Sequence, residues 1–136
     1  MSRMIFVNLP VTNVPASQAF YEALGFHNNP DFSDDGGVCM VWSDAIFVMA
    51  LSHEKWTLFT SRPIPSRDSS EVMNCLSCDD RDEVNRLADA AGKHGGTADI
   101  NPAQDHGFMM SRSFADPDGH VWEVMWMDPA AVRPGE

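Results

Sequence analysis

Basic residues are scarce. Nine Lys and Arg stand against twenty Asp and Glu, a net charge of −11. Such a surface repels phosphate backbones and anionic lipid, which argues against a nucleic-acid or membrane partner. Long apolar runs are also missing, and nothing approaches the ~18 consecutive residues of a membrane span. Residues 1–4 lead straight into an apolar stretch without the pattern of a secretory signal, so the cytoplasm is the expected location. There are only three cysteines, Cys39, Cys75 and Cys78. An odd count without a secretion signal argues against a disulfide framework. Cys75-Leu76-Ser77-Cys78 spells C-x-x-C, but it falls in an expected strand, where residues three apart point to opposite faces. A shared zinc and a redox pair are both excluded there, and both thiols are expected to be small buried residues.

What is present is globular. The chain has 136 residues, 43% apolar and 21% charged, enough for one domain that buries about two-thirds of its unfolded surface. Its most informative stretch is Asp116-Pro117-Asp118-Gly119-His120-Val121-Trp122-Glu123-Val124-Met125-Trp126. Asp-Pro-Asp-Gly is turn chemistry: proline pre-sets φ, the aspartates accept from nearby N–H groups, and Gly119 tolerates positive φ. The run that follows has strand composition, with Val121, Glu123 and Met125 on one face and Trp122, Val124 and Trp126 on the other. A glutamate in the middle of such a strand has three options if buried: pair, bind a metal or take up a proton. On an open face it is simply solvated.

Taken in order, residues 5–11 form a first strand, with Pro10 near an edge or an end. Asn13 or Thr12 caps a helix over residues 16–24, with Pro15 in its first turn and Gly25 ending it. A polar stretch over 28–37 precedes apolar strands at 38–42 and 45–51. Residues 52–70 form a long connection with Pro63 and Pro65, yet they carry Trp56, Leu58, Phe59 and Ile64, the composition of a cover or lid. Residues 72–78 are again a strand. Asp79-Asp80 caps a helix over 81–91 with Val84, Leu87, Ala88 and Ala91 as its apolar stripe. A short strand at 97–100, a loop at 104–107 and a strand at 108–114 lead to the opening stretch.

The plan is stated twice. Leu9 lies over Leu76 at an offset of 67, and Asp44 over Asp118 at an offset of 74. Internal duplication predicts an α+β fold of two βαβββ modules, helices outside and the opposite sheet faces enclosing a shared cavity. Module 1 covers about residues 4–51, the connection 52–70, module 2 about 71–128, and a tail 129–136. The expected lining is Phe6, Asn8, Met49, Met73, Cys75, Glu123 and Met125, joined by Trp42 and Phe47. This is an apolar, methionine-rich chamber with one carboxylate and one amide.

Two such modules ending in Asp-Pro-Asp-Gly-x-x-x-Glu resemble the vicinal oxygen chelate superfamily, which includes glyoxalase I, bleomycin-resistance proteins and extradiol dioxygenases. Val11, Asn13, Ser17, Phe20-Tyr21 and Leu24-Gly25 match its common first-helix pattern, and the resemblance spans roughly residues 4–128. It implies a homodimer and, in metal-dependent members, a divalent ion held by one residue of the first and last strand of each module. Those positions fall at Phe6, Met49 (or Ala50 after a slip of one), Met73 and Glu123. Only Glu123 is a usual ligand for such an ion, so no cofactor is expected, with a divalent metal kept as an alternative. His53, His106 and His120 show no ligand spacing. His106, in a glycine-containing loop, is kept as a substrate-binding candidate.

Burial of Glu123 would raise its pKa and suit it to general acid–base work. Arg112 bears on this. A two- or four-residue hairpin loop sets Arg112 opposite Glu123 as a salt bridge, whereas a three-residue loop with Gly119 as a bulge sets Ser113 there. Both stay open. Three functions follow from the resemblance. The first is a metal-free enzyme, of lyase, isomerase or epimerase type, in which Glu123 moves a proton on a small carbonyl or hydroxy compound. The second is a protein that sequesters an aromatic or cationic drug. The third is a metal-dependent lyase or dioxygenase.

Overall fold

The computed structural model describes residues 3–131, which form two compact units meeting in sequence at Ser69/Ser70. No helix among the described residues is long and apolar enough to cross a membrane.

The first unit runs β1 (Ile5–Val11), α1 (Val14–Leu24), β2 (His27–Asp34), β3 (Gly37–Val41), β4 (Ile46–Ser52) and α2 (His53–Trp56). Its sheet has the order β1-β4-β3-β2, with β1 parallel to β4 and the other neighbours antiparallel. Local chemistry sets the ends of α1. The Asn13 side chain accepts from the Ala16 N–H at 3.0 Å, Pro15 stands in the first turn, and Gly25 takes φ 108° beyond the last. Val14, Phe20, Tyr21 and Leu24 are its buried residues along with Ser17. They join an aromatic cluster in which Phe20 meets Tyr21 edge-on at 5.0 Å and Tyr21 meets Phe26 at 5.2 Å. Leu9, Met40, Val48 and Ala50 complete this core.

Two elements here differ from expectation. The polar stretch after Phe26 is a strand, because the backbone ladder to β3 (His27 opposite Val41, Asn29 opposite Cys39) is indifferent to side-chain polarity. The Ser33 hydroxyl, 2.7 Å from the Asn28 side-chain oxygen and accepting from the Cys39 N–H at 3.0 Å, bridges the irregularity in that ladder. The connection after β4 begins with a helical turn, capped by the Ser52 hydroxyl accepting from the Lys55 N–H at 3.1 Å.

The second unit runs β5 (Asn74–Ser77), α3 (Arg81–Lys93), β6 (Thr97–Ala98), β7 (Gln104–Asp105), β8 (Met109–Ala115) and β9 (Val121–Met127), then a 3-10 turn at Pro129–Ala131. Its order is β5-β9-β8-β6, with β7 also paired to β8. Asp80 caps α3 by accepting from the Glu83 N–H at 2.8 Å, while the Glu83 carboxylate accepts from the Asp79 N–H at 3.2 Å. The buried stripe is Val84, Leu87, Ala88 and Ala91, as its spacing predicts. The helix runs past Ala91, and Gly92 lets Ala98 come close: a Cβ there would stand 3.2 Å from the Ala98 Cβ.

The duplication is visible in the registers. The parallel pair β1/β4 sets Asn8 beside Met49, and the parallel pair β5/β9 sets Cys75 beside Glu123. These are the positions related by the offsets of 67 and 74. Met49, rather than Ala50, is thereby the counterpart of Glu123. Ala50 is fully buried beside Leu9.

Candidate functional site

The hairpin between β8 and β9 decides what stands beside Glu123. Asp116 donates its N–H to the His120 carbonyl at 2.9 Å, and Gly119 donates to the Asp116 carbonyl at 3.0 Å with φ 88°. The Asp116 carboxylate accepts from the N–H groups of Asp118 (3.0 Å) and His120 (2.9 Å). Pro117, Asp118 and Gly119 are thus a three-residue loop with glycine in the left-handed position. Ser113 falls opposite Glu123 and Arg112 opposite Val124.

Arg112 therefore leaves the expected site. Its guanidinium reaches the Asp99 carboxylate at 3.0 and 2.8 Å, Asp89 at 3.0 Å and the Asn85 side chain at 3.1 Å. Asn85 and Asp89 belong to α3, so the face carrying Arg112, Val124, Trp122 and Phe114 is the helix side of this sheet. Arg112 holds the Asp99 carboxyl below the usual carboxylate range. It is a strut between strand, helix and turn.

On the other face stand Cys75, Glu123, Ser113, Met125 and Ser111, since directly paired residues share a face. Glu123 is half-buried. Among the described residues no basic group pairs with it. Ser113, 2% exposed, accepts from the Asn101 N–H at 2.8 Å and lies 3.2 Å from the Asn101 carbonyl. The Asn101 side-chain N–H in turn reaches the Met73 sulfur at 3.4 Å. Ser113 was expected beside Glu123 only as the alternative to Arg112, and Asn101 was not foreseen. Only the loop length reveals Ser113, and nothing in the sequence marks Asn101.

The thiols divide by strand parity. Cys75 is exposed on the Glu123 face, not buried as its residue type suggests, because α3 covers the other face of β5, where Leu76 is buried. Desolvation by surrounding protein pushes its thiol up, and the Glu123 carboxylate adds to this. Cys78 is buried; desolvation, followed by the charge of Glu83, pushes it up to about 12. Cys39 is buried as well, and none of the three forms a disulfide.

His106 sits exposed at the tip of the β7–β8 hairpin, its Nε2 3.2 Å from the Gln104 side-chain oxygen and its N–H donating to the Met109 carbonyl at 2.8 Å. The loop is held by Arg81, the first residue of α3. Its guanidinium grips both Asp105 oxygens (2.7 and 3.1 Å) and the Gly107 carbonyl (2.7 Å), with its carbon 5.0 Å from the Trp126 ring centroid. The Arg81 hydrogen bonds, followed by the Gly107 N–H, hold Asp105 down at about 2. A carboxyl depressed on folding contributes stability above its unfolded value, and this is lost as pH falls through its folded value. Acid should therefore free the Asp105 loop only between about 3.8 and about 2. In Arg81→Gln, carboxyl NMR should show the Asp105 midpoint rising from about 2 toward 3.8, the Gly107 N–H still holding it below that value. An unchanged midpoint would remove Arg81 as the cause.

In the first unit, the face opposite α1 carries Phe6, Phe47, Asn8 and Met49. Phe6 and Phe47 stack with centroids 4.6 Å apart and planes 10° from parallel. Trp42 does not join them. It packs on Phe26 at 4.8 Å, on the α1 side, because it shares parity with Met40 in the run from β3. Asn8 and Leu51 from the sheet, with Trp56, Phe59 and Thr60 from the connection, enclose a cavity of about 250 Å³. A second, more open hollow of about 400 Å³ involves Phe47, Val41 and the polar His27, Asn28 and Asp44. The start of the connection thus lies against one end of this sheet.

The family's ligand positions, Phe6, Met49, Met73 and Glu123, do not fit a catalytic divalent ion. Phenyl carbon donates nothing, thioethers suit soft ions, and one carboxylate does not complete a coordination shell. Among the described residues no group of three His, Cys, Asp or Glu side chains converges where a metal could sit.

Two units, one with a four-stranded and one with a five-stranded sheet, each with a parallel outer pair and a helix packed on one face, define a duplicated βαβββ protein. The chain belongs to the Glyoxalase/Bleomycin resistance protein/Dioxygenase superfamily, whose sequence pattern matches residues 3–124. No curated protein matches it in sequence. Among solved structures it is similar to a glyoxalase/bleomycin resistance protein/dioxygenase family enzyme from Burkholderia phytofirmans PsJN (17% identity, 93% of this chain and 99% of that one, TM-score 0.76). It is also similar to a bleomycin resistance determinant encoded on the transposon Tn5 (20% identity, 93% and 99%, TM-score 0.64). A fosfomycin resistance protein from Listeria monocytogenes shares the fold too (14% identity, 93% and 91%, TM-score 0.67).

Proposed function

We propose that the protein acts on a small organic molecule without the superfamily's metal, with Glu123 as general acid and base on a carbonyl or hydroxy compound. The observation that carries this is the setting of Glu123: half-buried in mid-strand, flanked by Cys75 and Ser113, and lacking a basic partner among the described residues. A carboxylate so placed is free to take a proton from a bound substrate and return it. Met73, Cys75 and Met125 supply soft apolar contacts beside it, and Phe6, Asn8, Phe47 and Met49 offer a similar surface in the first unit. His106 on its tethered loop is the reserve polar contact.

The test is solvent exchange. The purified protein, treated with chelator, is incubated with pyruvate and with dihydroxyacetone in D₂O. Deuterium should enter the carbon next to the carbonyl faster than in buffer, as read by proton NMR. No acceleration with either compound rejects proton transfer.

A second reading is sequestration of an aromatic or cationic drug. The Phe6–Phe47 stack and the net charge of −11 favour it. Binding of such a drug without turnover would select it. We further propose a cytoplasmic homodimer, supported by three free thiols and by the exposed apolar side chains of Ile5, Phe6 and Phe59.

A further inference from the structure

Where the β7–β8 hairpin meets the end of β9, one histidine and two methionines stand side by side across the sheet. β7 sets Asp105 opposite Met110, and the next residue, His106, donates its N–H to the Met109 carbonyl at 2.8 Å. His106 is therefore opposite Met109. On the other side of β8, Met109 is opposite Met127. The pair next to it is closed by the Asp128 N–H donating to the Phe108 carbonyl at 2.7 Å. By alternation Met109/Met127 is a pair without ladder bonds of its own, the closer kind, with Cα atoms about 4.5 Å apart.

Arg81 fixes which way this row faces. Its guanidinium bonds Asp105 at 2.7 Å, reaches the Met110 sulfur at 3.8 Å and lies 5.0 Å from the Trp126 ring centroid. Each of these residues is the chain neighbour of a member of the row, and neighbours on a strand point to opposite faces. His106, Met109 and Met127 thus share the face turned away from Arg81. Met109 is half-buried, Met127 is 36% exposed and His106 is exposed. Methionine commonly fills gaps in a core, and a side chain as open as Met127 fills none.

We propose that this row binds a soft monovalent metal ion, Cu(I), through the two thioether sulfurs and the His106 imidazole. Thioethers select Cu(I) over calcium and magnesium, and imidazole suits copper as well. The Gln104 side-chain oxygen, 3.2 Å from His106 Nε2, accepts that proton and leaves the lone pair on Nδ1. A ligating histidine is held in this way by a partner on its other nitrogen. The net charge of −11 favours a cation, and the nearby Arg81 is committed to the opposite face.

The row contains none of the four family positions, Phe6, Met49, Met73 and Glu123. Glu123 lies four residues before Met127 on β9, about 13 Å along the strand. Binding is read without any carbonyl compound, and proton exchange is read under chelator, so the two proposals can fail separately.

The experiment titrates silver nitrate, a redox-inert stand-in for Cu(I), into protein labelled with ¹³C at the methionine methyls. Cys75→Ser removes the exposed thiol that would otherwise take the ion first; Cys39 and Cys78 are buried. Of the nine methionines, Met109→Leu and Met127→Leu assign the two relevant signals. One equivalent of silver should move both methyls and the His106 ring protons together, and zinc nitrate should move neither methyl. Met127→Leu should weaken silver binding by at least about tenfold, since even an outer-shell partner is worth that much. Leucine nearly conserves the volume of methionine, and His106→Ala, on an exposed loop, gives the same reading if a leucine variant misfolds. Shifts spread evenly over the exposed Met4 and Met73, shifts at His106 alone, or undiminished affinity in these variants overturn the proposal. Zinc held at the row as tightly as silver also overturns it.

Discussion

Glu123→Gln is expected to slow deuterium exchange into a carbonyl substrate by about 10²- to 10⁴-fold, the usual contribution of one positioned acid–base group. Glutamine keeps the size and shape of the side chain and removes only the group that can shuttle a proton at neutral pH. The fold should hardly notice. Glu123 makes no ion pair among the described residues, and a half-buried isosteric change of this kind usually moves stability by less than about 0.5 kcal/mol. The diagnostic is therefore a split: exchange lost, melting temperature kept, substrate affinity within a few-fold of the parent. If exchange persists at the parental rate, Glu123 is not the base. If affinity falls as far as the rate, the residue binds rather than transfers, and the sequestration reading gains.

The largest expected loss of stability comes from Trp122→Ala. Trp122 is 1% exposed and heads the fully buried side chains by volume. It stands on β9 between Asn74 and Phe114 in register, on the face that α3 covers. Truncating a buried tryptophan to alanine costs about 3–5 kcal/mol, because the lost transfer energy is joined by a cavity that the surrounding structure fills only in part. A domain of this size has roughly 5–15 kcal/mol in all, so the variant sits near the edge of folding. Urea titration followed by far-UV circular dichroism should show the midpoint fall accordingly. Leu58→Ala is the control: Leu58 is 79% exposed, and its removal should change little. A Trp122→Ala loss below about 1 kcal/mol would mean that the second unit repacks freely, contrary to the dense core seen here.

The two variants lie on the same strand, one residue apart, and their contrast is the strand's parity made measurable. The residue facing α3 is expected to govern stability, and its neighbour on the opposite face carries the proposed chemistry. Parity is also where reading from sequence succeeded and failed. For β9 the alternation of Val121, Glu123 and Met125 against Trp122 and Val124 was legible, because a regular strand alternates its faces whatever its neighbours. For Trp42 it was not. An aromatic at a strand end suits either side, and only its packing on Phe26 assigns it to the α1 side. Cys75 was misjudged for a related reason: a cysteine is usually buried, but its parity places it on the face that α3 does not cover.

By itself the sequence determined the elements whose signals are local. The Asn13 cap and Gly25 stop bound α1, Asp80 and the Val84–Ala91 stripe define α3, and Asp-Pro-Asp-Gly closes the last hairpin. The repeat at offsets of 67 and 74 carried the duplicated βαβββ plan and the family with it. Three-dimensional structure alone decided what depends on closure and on neighbours distant in the chain. The polar β2 exists because β3 offers it a ladder, and the one-turn α2 is too short to nucleate without the strands beside it. The choice between Arg112 and Ser113 beside Glu123 turned on one residue of loop length, and Arg112 was drawn away by carboxylates on α3 and at Asp99. A side chain's residue type is written in the chain, but its neighbour across the sheet is set by register, and a register shift of one residue reverses every face.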